Sequence, residues 1–127
     1  MILLDTHAWI WWIADEGRLS RPAREAIDKA ESIGVSAMSC WEVAMLQRRG
    51  RVKLARDALL WCRDAVSLPR CGLVPVTAEI AVTAVQLEEE HRDPADRIIV
   101  ASAIWTHAQL VTVDSKLHDF KRVKAIW

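Results

Sequence analysis

The sequence predicts an α/β fold, a three-layer sandwich in which helices cover both faces of a central parallel sheet of four to five strands. Two observations carry this reading. Short apolar runs alternate with longer helical stretches along the whole chain. The stretches joining successive runs are too long for hairpins, so neighbouring strands must be connected by crossovers and run parallel. No repeat or low-complexity segment interrupts the pattern, and 127 residues with 52% hydrophobic content suit a single domain spanning residues 1–127.

The elements follow in order. Ile2 to Leu4 is a short apolar run ending at Asp5, which reads as a buried strand, and Thr6 to Ala14 reads as a helix. Gly17 and Ser20-Arg21-Pro22 punctuate the chain; Pro22 suits the first turn of a helix through Ala23, Ile27 and Ala30, which Gly34 is expected to end. Val35 to Ala37 is the second strand. Ser39-Cys40-Trp41-Glu42 then has the S-x-x-E form of a capping box, opening a helix to about Arg49. Gly50 breaks it, Leu54 to Val66 is helical again, and Pro69 with Gly72 marks the turn before an apolar strand from Leu73 to Val76. Thr77 opens a helix to about Glu90. Asp93 is a good N-cap before Pro94 at the first helical position, launching a helix from Ala95 to Ala108. Leu110 to Val113 is the fourth strand, and Val123 to Trp127 is a candidate fifth.

Composition excludes several classes of function. Seventeen Lys and Arg balance seventeen Asp and Glu, so any nucleic-acid site must be local rather than a product of net charge. Cys40, Cys62 and Cys71 are odd in number and lack C-x-x-C spacing, which argues against a disulfide framework or a thiolate zinc site and suits a reducing cytoplasm. The first apolar run lacks a basic leader. Asp5 and Asp15 interrupt it short of the ~20 residues a membrane span needs, so neither a targeting segment nor a membrane role is expected. Gly34 to Met38 has Met38 where a G-x-S-x-G nucleophile elbow requires glycine. His7, His91, His107 and His118 show no H-x-x-x-H or H-E-x-x-H pairing, and no glycine-rich phosphate loop is present.

Acidic residues remain. In an open parallel sheet, residues just beyond the carboxyl ends of the strands converge on one crevice. Asp5 ends the first strand, Glu42 lies in the first helical turn after the second, Asp96 opens the helix leading to strand four, and Asp114 ends that strand. Singly, Glu42 can belong to a capping box with Ser39, and Asp96 can favour a helix dipole beside the cap Asp93. Asp5 and Asp114 are harder to assign to structure, because a carboxylate at the inner end of a central strand is costly unless solvated or paired. Two carboxylates ~5 Å apart repel by roughly 3 kcal/mol at an effective dielectric near 20, so four together call for a cation. All-oxygen ligands select Mg²⁺ or Mn²⁺.

Taken in order, I-L-L-D-T-H at 2 to 7, S-x-x-S-x-W-E from Ser36 to Glu42, D-P-A-D-R-I-I-V-A at 93 to 101 and L-V-T-V-D at 110 to 114 resemble a PIN domain, in the branch of the VapC toxins. The resemblance spans nearly the entire chain. It implies a five-stranded parallel sheet between helices and a Mg²⁺- or Mn²⁺-dependent endoribonuclease needing no side-chain nucleophile. Asp5, Glu42, Asp96 and Asp114 would be the catalytic and metal-binding acids. Asp93 would be an accessory or capping residue, with Thr6 and Thr112 hydrogen-bonding around the acids. The branch further implies the toxin role of a type II toxin-antitoxin pair, a cognate antitoxin that obstructs the acidic site, and a homodimer. An RNA-processing nuclease without an antitoxin and a catalytically silent RNA- or protein-binding module are the alternatives.

Candidates for contact with the RNA substrate are Arg48, Arg49, Arg51 and Lys53 after the Glu42 helix, and Lys116, Lys121, Arg122 and Lys124 beyond Asp114; the first run reads equally as a solvated helix end. Arg97, beside Asp96, is an accessory candidate. His7 and His91 adjoin proposed acids and are left outside the catalytic set. Most of the seven tryptophans are expected in the core; any exposed part would suit an amphipathic helix of the antitoxin.

Overall fold

Asp5 directly follows the central strand of the sheet. In the computed structural model, which describes all residues from Met1 to Trp127, β1 (Ile2–Leu4) occupies the centre of a five-stranded sheet of order β3-β2-β1-β4-β5. Its neighbours are β2 (Ile33–Ser36), with Leu3 opposite Gly34, and β4 (Gln109–Val111), with Leu3 opposite Leu110. β3 (Cys71–Val74) and β5 (Ala125–Ile126) form the edges, and every pairing is parallel. The chain builds outward from β1 on one side and then returns to add β4 on the other. The strand order thus reverses beside β1, where such sheets open a crevice.

Alternation along the strands divides the core between the two faces. Ile2, Leu4, Ile33, Val35 and Val111 face one layer, packed with Trp9 of α1 (Thr6–Ala14), Ile27 of α2 (Arg21–Lys29), Val43 of α3 (Ala37–Arg48) and Trp61 of α4 (Ala58–Val66). Leu3, Val74 and Leu110 face the other, with Ile80 of α5 (Ala78–Gln86) and Ile99 and Val100 of α6 (Pro94–Trp105). Trp9, wholly buried, meets Trp61 edge to face at 4.8 Å. This is the expected three-layer architecture, and the fifth strand is formed. No helix is long and apolar enough to cross a membrane.

Several expected boundaries move. Gly34 does not end α2; it lies inside β2, where a Cβ would stand 3.1 Å from both Leu3 Cδ1 and Val74 Cγ2, so its small size lets those side chains close over the strand. The second strand accordingly starts at Ile33 and ends at Ser36 instead of running from Val35 to Ala37. Ser36 caps α3 by accepting from the Met38 N–H at 3.1 Å, which leaves Ser39 free for another partner and puts Glu42 in the second turn of the helix rather than the first. β3 runs from Cys71 to Val74 instead of Leu73 to Val76: Arg70 turns the chain in a left-handed conformation (φ 68°) directly ahead of Cys71, and pairing with β2 ends where Val74 lies opposite Ser36. α4 begins only at Ala58, where Asp57 caps it by accepting from Leu60 N at 3.2 Å. α5 stops at Gln86, well before Glu90, and α6 stops at Trp105. Two residues on, His107 adopts φ 54°. β4 is over at Val111, so Asp114 lies three residues beyond the strand instead of ending it.

Candidate active site

Asp5 has two structural duties. Its Oδ1 accepts from Ala8 N at 2.9 Å, capping α1, and its Oδ2 accepts from the Thr112 hydroxyl. Only 7% exposed, its carboxyl is pushed above the ordinary range, chiefly by burial; the bonds from Thr112 and Ala8 oppose that rise, and the charge of Asp96 adds to it. The Thr112 hydroxyl oxygen in turn accepts from Asp114 N at 3.1 Å, so one threonine ties the β1 acid to the turn that carries Asp114. That turn is closed by Asp114 Oδ1 accepting from Lys116 N at 2.9 Å.

Glu42 reaches the same region from α3. Thr6 donates to Glu42 Oε1 at 2.6 Å and shares a 3.0 Å hydroxyl contact with the buried Ser39. Burial raises the Glu42 carboxyl most, the Thr6 bond works against it, and the charges of Asp96, Asp93 and Asp5 raise it further. Asp96 comes from the first turn of α6, after the cap Asp93, whose Oδ1 accepts from Ala95 N at 2.9 Å and Asp96 N at 3.2 Å. The Asp96 carboxyl is likewise raised, first by burial and then by Asp93 and Asp114, against the effect of the His91 ring 2.7 Å away. The four acids therefore lie in one electrostatic neighbourhood, with the charge of Asp96 felt by Asp5 and Glu42 and that of Asp114 felt by Asp96. They remain a loose group: no three His, Cys, Asp or Glu side chains reach ligand distance of one point.

The donor set nonetheless suits a hard divalent cation. Every group is a carboxylate or hydroxyl oxygen, and the three raised carboxyls suffer burial or mutual repulsion that a positive charge would relieve. A consequence can be measured without any ion. Because these folded-state values are raised, the metal-free protein binds protons more tightly than the unfolded chain does. Their contribution to stability is present below about pH 4 and is lost as the pH rises through the elevated values. Asp96→Asn is therefore expected to raise the metal-free melting midpoint by a few degrees near pH 7.5, with the gain shrinking towards pH 4; thermal melts in EDTA across that range check it. A midpoint that falls equally at every pH would mean that Asp96 is held by its partners rather than repelled by its neighbours.

The accessory candidates separate. Thr6 donates to Glu42 and Thr112 to Asp5. Arg97 is not directed at the acids at all. Its guanidinium donates to five backbone carbonyls, of Ala84 (2.7 Å), Val85 (3.3 Å), Leu87 (2.8 Å), Glu89 (2.7 Å) and His91 (2.8 Å), and so moulds the segment between α5 and α6. This is a correction to its expected site role: Arg97 fixes the loop that presents His91, and His91 holds Asp96. Sequence reading set His91 aside, and only its proximity to Asp96 hinted at this contact.

Arg48, Arg49, Arg51 and Lys116 are all exposed. Of these, Arg51 lines a cleft of about 540 Å³ with His7, Trp11, Arg18 and Val113, bringing it beside residues that flank Asp5 and Asp114. Arg18, which carried no signal in the sequence, lies 4.6 Å over the Trp11 ring there. Most tryptophans do pack on the core, but Trp41 and Trp105 are exposed.

Comparison with known proteins agrees with this fold. The PIN domain family matches residues 2–125. Ribonuclease VapC22 of Mycobacterium tuberculosis is 39% identical over 129 residues, covering 99% of this chain and 98% of that protein. Among solved structures, VapBC2 from Rickettsia felis bound to a DNA fragment from its promoter superposes with a TM-score of 0.71 at 18% identity, covering 98% of this chain and 97% of that one. VapC20 of Mycobacterium tuberculosis, a Sarcin-Ricin loop cleaving toxin, gives 0.65 at 20% identity, with 98% and 99% covered. A toxin-antitoxin complex from Klebsiella pneumoniae gives 0.66 at 20% identity, with 97% and 95% covered. At such identities the three structures speak to the fold alone.

Proposed function

The chain belongs to the PIN-domain family, and on that premise we propose that it is a VapC-like endoribonuclease, dependent on Mg²⁺ or Mn²⁺, that hydrolyses RNA phosphodiester bonds. The observation that carries this reading is that Asp5, Glu42 and Asp96, with Asp114 acting on Asp96, come near enough beyond the carboxyl ends of the strands for their charges to raise one another's carboxyls. The 39% identity to a ribonuclease over almost the full length of both chains supports the same activity.

Asp5, Glu42, Asp96 and Asp114 would hold the ion, which when bound supplies polarisation of the scissile phosphate and acidification of the attacking water. The remaining work falls to side chains of this protein. Thr112 would hold the orientation of the buried Asp5 carboxyl through its hydrogen bond, as Thr6 would for Glu42 and His91 for Asp96. Arg18 and Arg51, in the cleft next to Val113, would receive phosphates of the bound strand and offset the negative site.

The toxin role, with a cognate antitoxin as protein partner, a homodimer and a cytoplasmic setting, completes the proposal. Its support is the VapC relationship together with the free thiols Cys40, Cys62 and Cys71, which suit a reducing compartment. Purified protein incubated with labelled RNA is expected to cut it in Mn²⁺ or Mg²⁺, to stop in EDTA and to recover when excess metal is returned. Cutting that persists in EDTA would contradict metal dependence, and RNA binding without cutting under any metal would favour a silent binding module.

A further inference from the structure

Trp41 is 59% exposed, although it lies in the middle of α3 between the buried Ser39 and Val43. It borders two clefts. One, of about 450 Å³, runs against α4 and is lined by Leu59, Cys62, Val66 and Leu73. The other, of about 630 Å³, lies between α3 and the start of α6, lined by Met38, Trp41 and Met45 with Val76 and Pro94, and it carries Glu42 and Asp93. Only the second is continuous with the acids. The Arg18 and Arg51 cleft is lined by His7 and Val113, close in sequence to Asp5 and Asp114, so a cationic cleft lies on the side of those two acids and an aromatic cleft on the side of Glu42.

We propose that the cleft beside Trp41 is a nucleobase subsite, in which an unpaired base next to the phosphate held at the acids stacks on the Trp41 indole. The inference rests on the nuclease reading and narrows its substrate to RNA that can splay a base out of a loop or single strand. The cleft has no cationic side chain, and its charged groups are two carboxylates, so it repels the phosphate backbone, which the arginine cleft accommodates better. An exposed aromatic face with apolar flanks suits any base, since every base has a π-face. Glu42 and Asp93 offer acceptors, so the exocyclic amine of adenine or cytosine matches the cleft better than uracil does. A protein helix is better matched by the almost wholly apolar groove on the α4 side of Trp41.

The test compares wild type with Trp41→Ala and Trp41→Phe in two assays. One is binding of short labelled oligo(A), oligo(C) and oligo(U) in Ca²⁺, an oxygen-seeking ion used here to avoid cleavage. The other is cutting in Mn²⁺ of an RNA hairpin pool with a randomised loop, sequenced at the cut. Trp41→Ala is expected to weaken oligo(A) and oligo(C) binding by roughly 5- to 150-fold, as loss of one base–aromatic stack implies. It should also erase the preference over oligo(U) and flatten the base distribution beside the cut, while Trp41→Phe keeps most of both. Because Trp41 is largely exposed, its truncation leaves the core intact, and the retained ring of Trp41→Phe separates stacking from any folding defect. Trp41→Ala that binds and cuts like wild type, with an unchanged distribution, overturns the subsite; if that variant also fails to bind the cognate antitoxin, the cleft is a protein site instead. Trp41-dependent binding without any cutting by wild type would keep the subsite and remove the nuclease reading, whereas RNA neither bound nor cut would remove both.

Discussion

Asp5→Asn is expected to lower the RNA cleavage rate at saturating Mn²⁺ by roughly 10³-fold or more while leaving a folded protein. A metal centre supplies several kcal/mol of charge stabilisation in the transition state, and each 1.36 kcal/mol is tenfold in rate. Asp5 is the most buried acid of the group and sits beside the point where the strand order reverses. Folding should survive because the amide oxygen of Asn can still accept from Ala8 N and cap α1. Relief of the burial that raises the Asp5 carboxyl offsets part of whatever is lost with Thr112. Single-turnover cleavage alongside a thermal melt checks both halves. A folded Asp5→Asn protein within about tenfold of wild type would remove Asp5 from the centre.

Arg97→Ala is expected to cost about 3–5 kcal/mol of stability and most of the cleavage activity as well. Five backbone carbonyls lose a charged donor at once, and several would be left without a partner where the segment after α5 folds over α6. His91 leaves with that segment, and Asp96 loses its ring contact. Arg97→Lys should recover only a minor part, since an ammonium presents three donors about one nitrogen and cannot span five carbonyls as a planar guanidinium does. Urea denaturation gives the stability change; a loss under about 1 kcal/mol would mean that the loop is held by other contacts.

The two examples mark where sequence reading succeeds and where it stops. Asp5 stood out because it directly follows a short apolar run, although the structure also gives it the task of capping α1, and Asp93 with Pro94 announced the start of α6 through local chemistry alone. Parallel pairing was legible from the length of the crossovers. Strand limits were not, because they are decided by partners distant in sequence. β2 begins at Ile33 since Ile2 and Cys71 lie opposite it, and Gly34 was mistaken for a helix stop because its reason for being small is the approach of Leu3 and Val74. The S-x-x-E pattern at Ser39 misled in the same way: Ser36 takes the cap, and Ser39 turns inward to Thr6. Arg97 beside Asp96 suggested a site residue. Its real partners are backbone carbonyls, which have no signature in a sequence, and that also hid the path from Arg97 through His91 to Asp96. Which tryptophans stay out of the core was not legible either; burial follows helix orientation against the sheet, which places Val43 inward and Trp41 out.

The most direct test of the central claim, that four acids from separate elements form one metal centre, is the Mn²⁺ dependence of RNA cleavage for wild type, Asp5→Asn, Glu42→Gln, Asp96→Asn and Asp114→Asn. The account predicts saturable Mn²⁺ activation of wild type, silence in EDTA, and a lower maximal rate or a higher Mn²⁺ requirement in all four variants. Wild-type dependence on Mn²⁺ in any of these folded variants would exclude that acid from the centre, and EDTA-resistant cleavage shared by all five proteins would contradict the account as a whole.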